Sequence, residues 1–324
     1  MRTFPWLLAS FVCCIAPAAA QELRRGLVDA DLVAVARQVG KTDHGDDVVL
    51  HRVQIVHAIR GAGAATAVTV LDWPKLALHE RPTPRQSRLY CLQDASAQAT
   101  RLGLPAADGP YYKMVGWPGS NPLIGADVTT DAIVAFAKVL AAAEAGAPPA
   151  TTAAALCATA LDGSAAVRTE ATRYLVERGD LRAHLGDVQW SRLLSRACGE
   201  VDDVPHKIAL AELCAEQGLA GLLDALVVAL GQVHDPEFAR TVGRIGAVLH
   251  GEQVTEKLQA RIATAADPAD RAALLLAIGA SQTTTALDAL LQLDGIKEGK
   301  DAAVAAALRE HRSPRAQEAV ARRK

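Results

Sequence analysis

The sequence predicts an α+β chain of two domains, a small β-barrel followed by an α-solenoid. Three observations carry that expectation. Residues Asp31 to about Met114 alternate apolar and polar with many β-branched positions. A proline- and glycine-bearing break falls at 145–152, and aspartate-led helical segments rich in alanine and leucine then recur to the end. At 324 residues the chain exceeds one ordinary hydrophobic core, which agrees with two domains.

Met1 and Arg2 precede an apolar run from Phe4 to Ile15, and Ala18-Ala19-Ala20 stand before Gln21-Glu22. A positive start, a short apolar stretch and small residues before a polar pair form the pattern of a secretory signal peptide. Residues 1–20 are therefore expected to be removed and the protein exported, periplasmic or secreted. The run is too short for a membrane span, which takes about 20 apolar residues, and no later segment qualifies. Phe11 and Val12 are too large to precede a lipid-bearing Cys13. The formal net charge is −2, so no basic footprint for nucleic acid or an anionic membrane is present.

Residues 21–127 read as the β domain. "DLVAVARQV", "DVVLHRVQIVHAI", "TAVTVLDW", "RLYCL" and "YYKMVGW" are five strands, separated by "DHGDD", "RGAGAAT" and "HERPTPRQS", whose glycines and prolines break helix and ladder alike. Residues 128–147 supply a connecting helix and linker. Thr129 or Thr130 is its expected N-cap, with Ile133, Phe136, Ala137 and Leu140 on one face.

Residues 148–324 repeat. Segments opening at Asp162, Asp202, His234, Ala266 and Lys300 each carry an aspartate and run into an apolar-striped helix. Asp203, Asp235, Asp267 and Asp301 recur at steps of 32, 32 and 34 residues. Each unit holds a helix, a turn and a second helix, and stacked neighbours bury what one helix cannot. The aspartates suit N-caps, and Pro236 and Pro268 suit the first helical position. In "GRIGA" and "LLAIGA" small residues are expected to let the paired helix approach.

Once the leader is removed, Cys91, Cys157, Cys198 and Cys214 remain. They pair in one of three ways in an oxidising compartment, or stay small buried thiols. Cys198 and Cys214, nearest in sequence, are the candidate disulfide, expected on neighbouring helices. No metal centre is expected. His51 and His57 share a strand face but stand roughly 20 Å apart, and Asp43, His44, Asp46 and Asp47 lack calcium-loop spacing. No cofactor motif and no catalytic set appears: nucleophile elbow, phosphate loop and zinc-protease helix are all missing, and nothing local marks His79 with Cys91 as a pair.

The candidate binding residues are Trp73, Tyr111, Tyr112 and Trp117. Each tryptophan precedes a proline that holds it extended, and tyrosine and tryptophan join a large apolar surface to a polar tip. They suit a recognition surface, or packing at an end of the barrel.

At "DGSAAVRTEATRYL" the second half resembles the HEAT repeats of armadillo-like superhelices. That resemblance implies a HEAT-like α-solenoid that binds macromolecules along a curved surface. At "ADLVAVARQV", "VLHRVQIVHAIRG" and "SRLYCL" the first half is similar to the OB-like barrels of secreted bacterial proteins and of tissue inhibitors of metalloproteinases. Those inhibitors use an N-terminal cysteine, whereas the mature terminus expected here is Gln21-Glu22. The reading is a noncatalytic exported binding module or scaffold for a protein or cell-envelope partner, engaged through the solenoid groove, the aromatic-proline surface, or both. The alternative is an enzyme or protease-inhibitor-like protein acting through the β domain.

Overall fold

The computed structural model describes residues 18–45, 47–74, 85–115, 121–199, 203–265, 267–296 and 300–322. It is α+β, and the chain forms two compact units, Met1–Ala155 and Leu156–Lys324. The predicted leader up to residue 17 lies outside the described residues. The expected cleavage point after Ala20 falls in the first turn of a helix, α1 (Ala18–Asp29).

The first unit continues with β1 (Leu32–His44), β2 (Val48–Arg60), β3 (Ala67–Asp72), β4 (Ser87–Asp94), α2 (Ser96–Arg101), β5 (Tyr111–Met114) and α3 (Ala132–Glu144). Strand β1 is antiparallel to both β2 and β4, β3 is antiparallel to β2 and parallel to β5, and β4 is antiparallel to β5. The order β1-β2-β3-β5-β4 thus returns to β1. Alternation along the strands sends Ala34, Val53, Val70 and Tyr90 into one cluster, while Arg52 and Gln54 face solvent.

Strand β1 outruns the sequence expectation and shortens the turn at "DHGDD", while β2 keeps its expected length one position further on. The β1–β2 register shifts three times, and the shift between Gln38 and Gly40 leaves Val39 out of the ladder and 58% exposed. At the end of β2, Gly61 has φ +73°, and a Cβ there would sit 1.9 Å from Asp31 O. Only glycine fits so close an approach.

Helix α1 was not expected. It buries Leu23 and Leu27, and the Arg60 guanidinium donates to the carbonyls of Leu27 and Ala30, satisfying acceptors that a helix end leaves open. The N-cap of α3 is Asp131, not Thr129 or Thr130: its carboxylate accepts from Ile133 N and Val134 N. Thr129 instead donates to Asp127, which closes a turn ahead of the helix. Phe136, Ala137 and Leu140 are buried as expected, joined by Val134, while Ile133 is only half-buried.

Helix α4 (Pro149–Asp162) begins inside the expected linker and contains the division between the units. The second unit then holds α5 (Ala165–Glu177), α6 (Gly179–Arg182), α7 (Asp187–Cys198), α8 (Val204–Glu216), α9 (Leu222–Leu230), α10 (Pro236–His250), α11 (Gln253–Ile262), α12 (Pro268–Ser281), α13 (Thr284–Ile296), α14 (Ala302–Glu310) and α15 (Pro314–Ala321). Helices α5, α8, α10, α12 and α14 pack in succession as one row; α7, α9, α11, α13 and α15 form the second. Each row leaves an apolar stripe for the other to cover.

The recurring aspartates act as the spacing predicts. Asp203, Asp235, Asp267 and Asp301 cap α8, α10, α12 and α14, each accepting from first-turn amides. Asp162 does not fit the pattern, because it ends α4 and Ser164 holds the N-cap position of α5. Two caps also tie neighbouring helices together: Arg168 of α5 reaches Asp203 at 3.5 Å, and Arg271 of α12 reaches Asp301 at 2.8 Å.

The glycines do something other than expected. A Cβ on Gly243 would stand 2.1 Å from Ala277 O in α12, and one on Gly279 would stand 2.2 Å from Ala307 O in α14. They let successive first-row helices approach. Only Gly246, which faces Val254 of α11, serves the paired helix.

All four described cysteines are free thiols. Cys198 and Cys214 do lie on packed neighbours, α7 and α8, but no disulfide joins them.

Candidate functional site

A groove of about 660 Å³ opens in the second unit between the end of α4 and α7, with Leu161, Asp162, Asp187, Val188, Arg192 and Arg196 on its walls. Its form follows from the amphipathic pattern of α7. Trp190, Leu193 and Ala197 turn inward, which leaves Val188, Ser191, Arg192 and Ser195 outward. Val188 is 75% exposed, a β-branched apolar side chain facing solvent among the described residues. Arg192 reaches Asp162 at 3.3 Å across the groove, and Asp187 favours the positive start of α7. Apolar floor flanked by charge of both signs suits an extended segment of another molecule. Ser191 and Ser195 place two hydroxyls on its wall.

The sequence-selected aromatic residues lie in the first unit. Tyr111 is 5% exposed and its hydroxyl donates to Pro105 O at 2.8 Å, so its tip is used internally. Its ring packs with Leu71, Ala95 and Ala99, and the half-buried Trp73 joins that cluster. Tyr112 is half-buried against the other cluster, that of Ala34, Val53, Val70 and Tyr90. These three residues are packed rather than gathered on a recognition patch. Trp117 lies outside the described residues, as do His79 and Asp46. A second cavity, of about 320 Å³, opens between α2 and the residues leading into β5, with Tyr111, Leu104 and Thr100 on its walls.

Two separate buried polar groups lie among the strands, one between β2 and β3 and one between β4 and Asn121. His51 and Asp72 share the face of Val53 and Val70; His51 Nε2 lies 3.3 Å from Asp72 Oδ2, and both residues are buried. Arg88 donates to Asn121 O at 2.9 Å, and Asn121 Oδ1 accepts from Cys91 N at 3.0 Å. Burial pushes the Tyr90 hydroxyl and the Cys91 thiol up to about 12 each, opposed by Arg88 and Arg60 respectively. Neither described cavity is lined by this set, and thiols held protonated at neutral pH are poor nucleophiles.

In the "TDHGDD" turn Asp43 pairs with Lys41 at 3.4 Å and His44 meets Leu102 O at 3.2 Å. A metal-ligating combination appears elsewhere, at His234, Asp267 and Asp270, whose donor atoms all lie within 4.8 Å of one another. Sequence reading missed it because His234 and Asp270 are 36 positions apart. The two residues are brought together because α10 packs on α12.

Fold and sites together define an α+β protein whose helical half carries an open groove. Comparison with protein-family models, curated proteins and solved structures returned no match. Among the described residues no helix is long and apolar enough to cross a membrane.

Proposed function

We propose that the protein is an exported, noncatalytic scaffold in which an OB-like barrel precedes a HEAT-like solenoid, and that the groove beside α7 receives an extended segment of a protein or cell-envelope partner. The observation that carries the reading is Val188, solvent-facing beside the Arg192–Asp162 pair on a helix whose other face is fully committed to packing. Exposed apolar surface rimmed by charge marks interaction sites.

The barrel assignment is supported by the strand order β1-β2-β3-β5-β4 with β3 and β5 parallel. Support for the solenoid comes from the two rows of helices and the capping aspartates at regular steps. The leader pattern in residues 1–20 supports export.

The test is affinity capture from the native cell envelope with the mature chain, with a Val188→Glu/Arg192→Glu variant, and with residues 21–147 alone. The full chain is expected to retain a partner that the groove variant loses while keeping its helical circular dichroism. Recovery of the same partner by residues 21–147 would place binding in the β domain and overturn the groove assignment.

A further inference from the structure

We propose that His234, Asp267 and Asp270 bind one divalent ion of the zinc class, and that the ion clips two successive helix pairs together. His234 lies in the connection ahead of α10, whereas Asp267 and Asp270 occupy the first turn of α12. The three donors therefore come from adjoining repeats. Their atoms all fall within 4.8 Å of one another, and His234 Nε2 stands 2.6 Å from Asp270 Oδ1. Zinc bonds of about 2.0–2.2 Å place tetrahedral neighbours roughly 3.3–3.5 Å apart. The His234–Asp270 pair is closer than that, so an ion would have to part these two atoms.

Capping accounts for part of this arrangement and leaves the rest over. Asp267 gives Oδ1 to Ala269 N at 2.8 Å, so one carboxylate complements the positive end of α12. Asp270, three residues on, places a second carboxylate in the same turn and directs it to an imidazole from the preceding repeat. Two carboxylates thus stand beside a single imidazole. Arg271, next in the chain, is committed to Asp301 at 2.8 Å. Arg261 is the competing cation: its Nη2 and Asp270 Oδ2 each lie 3.6 Å from where a Cβ on Gly231 would stand. His234 and Asp267 are exposed and Asp270 is half-buried, which leaves the remaining coordination positions open to water.

Ligand chemistry selects the metal. One imidazole nitrogen with two carboxylates suits zinc and its transition-metal neighbours, whereas calcium takes six to eight oxygens and magnesium keeps most of its water. Because the ligands belong to two repeats, binding stabilises their stacked form by mass action.

The experiment is equilibrium dialysis and thermal denaturation of the full chain with zinc chloride, and in parallel with magnesium and calcium chlorides. The variants are His234→Ala, Asp270→Asn and Asp267→Asn; asparagine retains the capping acceptor, so loss of metal there is not loss of the helix start. The expected result is one zinc per chain, a zinc-dependent rise in melting temperature, and at least about tenfold weaker binding in each variant, following the loss of one of three ligands. Cobalt substitution is expected to give a spectrum without thiolate charge-transfer absorption. Three outcomes overturn the site: no stoichiometric zinc in the wild-type chain, unchanged affinity in His234→Ala and Asp270→Asn, or thiolate absorption from the cobalt form.

Discussion

Cys91 is sealed between β1 and β5 on strand β4, and its thiol is held up at about 12 from an ordinary value near 9. The unfolded chain loses that proton near pH 9, while the folded chain keeps it until about pH 12. Folding stability is thus fully present below pH 9 and falls as pH rises from about 9 to about 12. Cys214 and Tyr90, each also raised to about 12, act in the same direction. Urea unfolding across this window is expected to give a shallower decline for Cys91→Ala than for the wild type, whatever the change in absolute stability. An unchanged slope would show that burial of this thiol does not contribute. Gly279 gives a steric prediction at the same scale. Since a Cβ there would overlap the Ala307 carbonyl at 2.2 Å, Gly279→Ala should separate α12 from α14 and destabilise the second unit by ~1–3 kcal/mol. Its denaturation midpoint reads this directly.

At the scale of elements, the helical caps were the most legible feature of the sequence. Asp followed by Pro before an apolar stripe specifies a helix start through short-range geometry alone, and α10 and α12 begin where "DPEF" and "DPAD" say. Asp235→Ala removes acceptors for Glu237 N and Phe238 N and should cost about 1 kcal/mol in thermal or urea unfolding, with Asp235→Asn nearly neutral. Asp301→Ala should cost more than Asp235→Ala, because it also strands Arg271. What could not be read locally was whatever another element decides. Helix α1 exists through Leu23, Leu27 and the reach of Arg60 from the end of β2, and nothing in "QELRRGLVDA" announces that arginine. The purpose of Gly243 and Gly279 was misjudged for the same reason: glycine in a helix reports a close approach without naming the partner. Tyr111 looked like a contact residue because composition cannot show that Pro105 O takes its hydroxyl. The groove beside α7 was hidden because an exposed valine in an amphipathic helix reads as an ordinary pattern error until its neighbours are placed.

At the scale of the whole molecule, the change from period 2 to period 3.6 placed the strand-rich and helical halves correctly, yet the compact units divide inside a helix. The prolines and glycine of 145–152 announce a break, but Pro149 is compatible with a first helical turn, so α4 starts there and continues across the division. Its later residues Leu156, Cys157, Ala160 and Leu161 are buried and belong to the second unit, where Leu161 and Asp162 face α7 across the groove. The end of α4 is therefore part of the second unit. A stack whose terminal helix is removed exposes the apolar stripe that helix covered. Residues 148–324 are expected to melt cooperatively as an isolated fragment, while residues 163–324 should melt at a lower temperature and bind a hydrophobic dye. Equal melting temperatures for the two fragments would mean that α4 adds nothing to the stack, and would also remove one wall of the proposed binding groove.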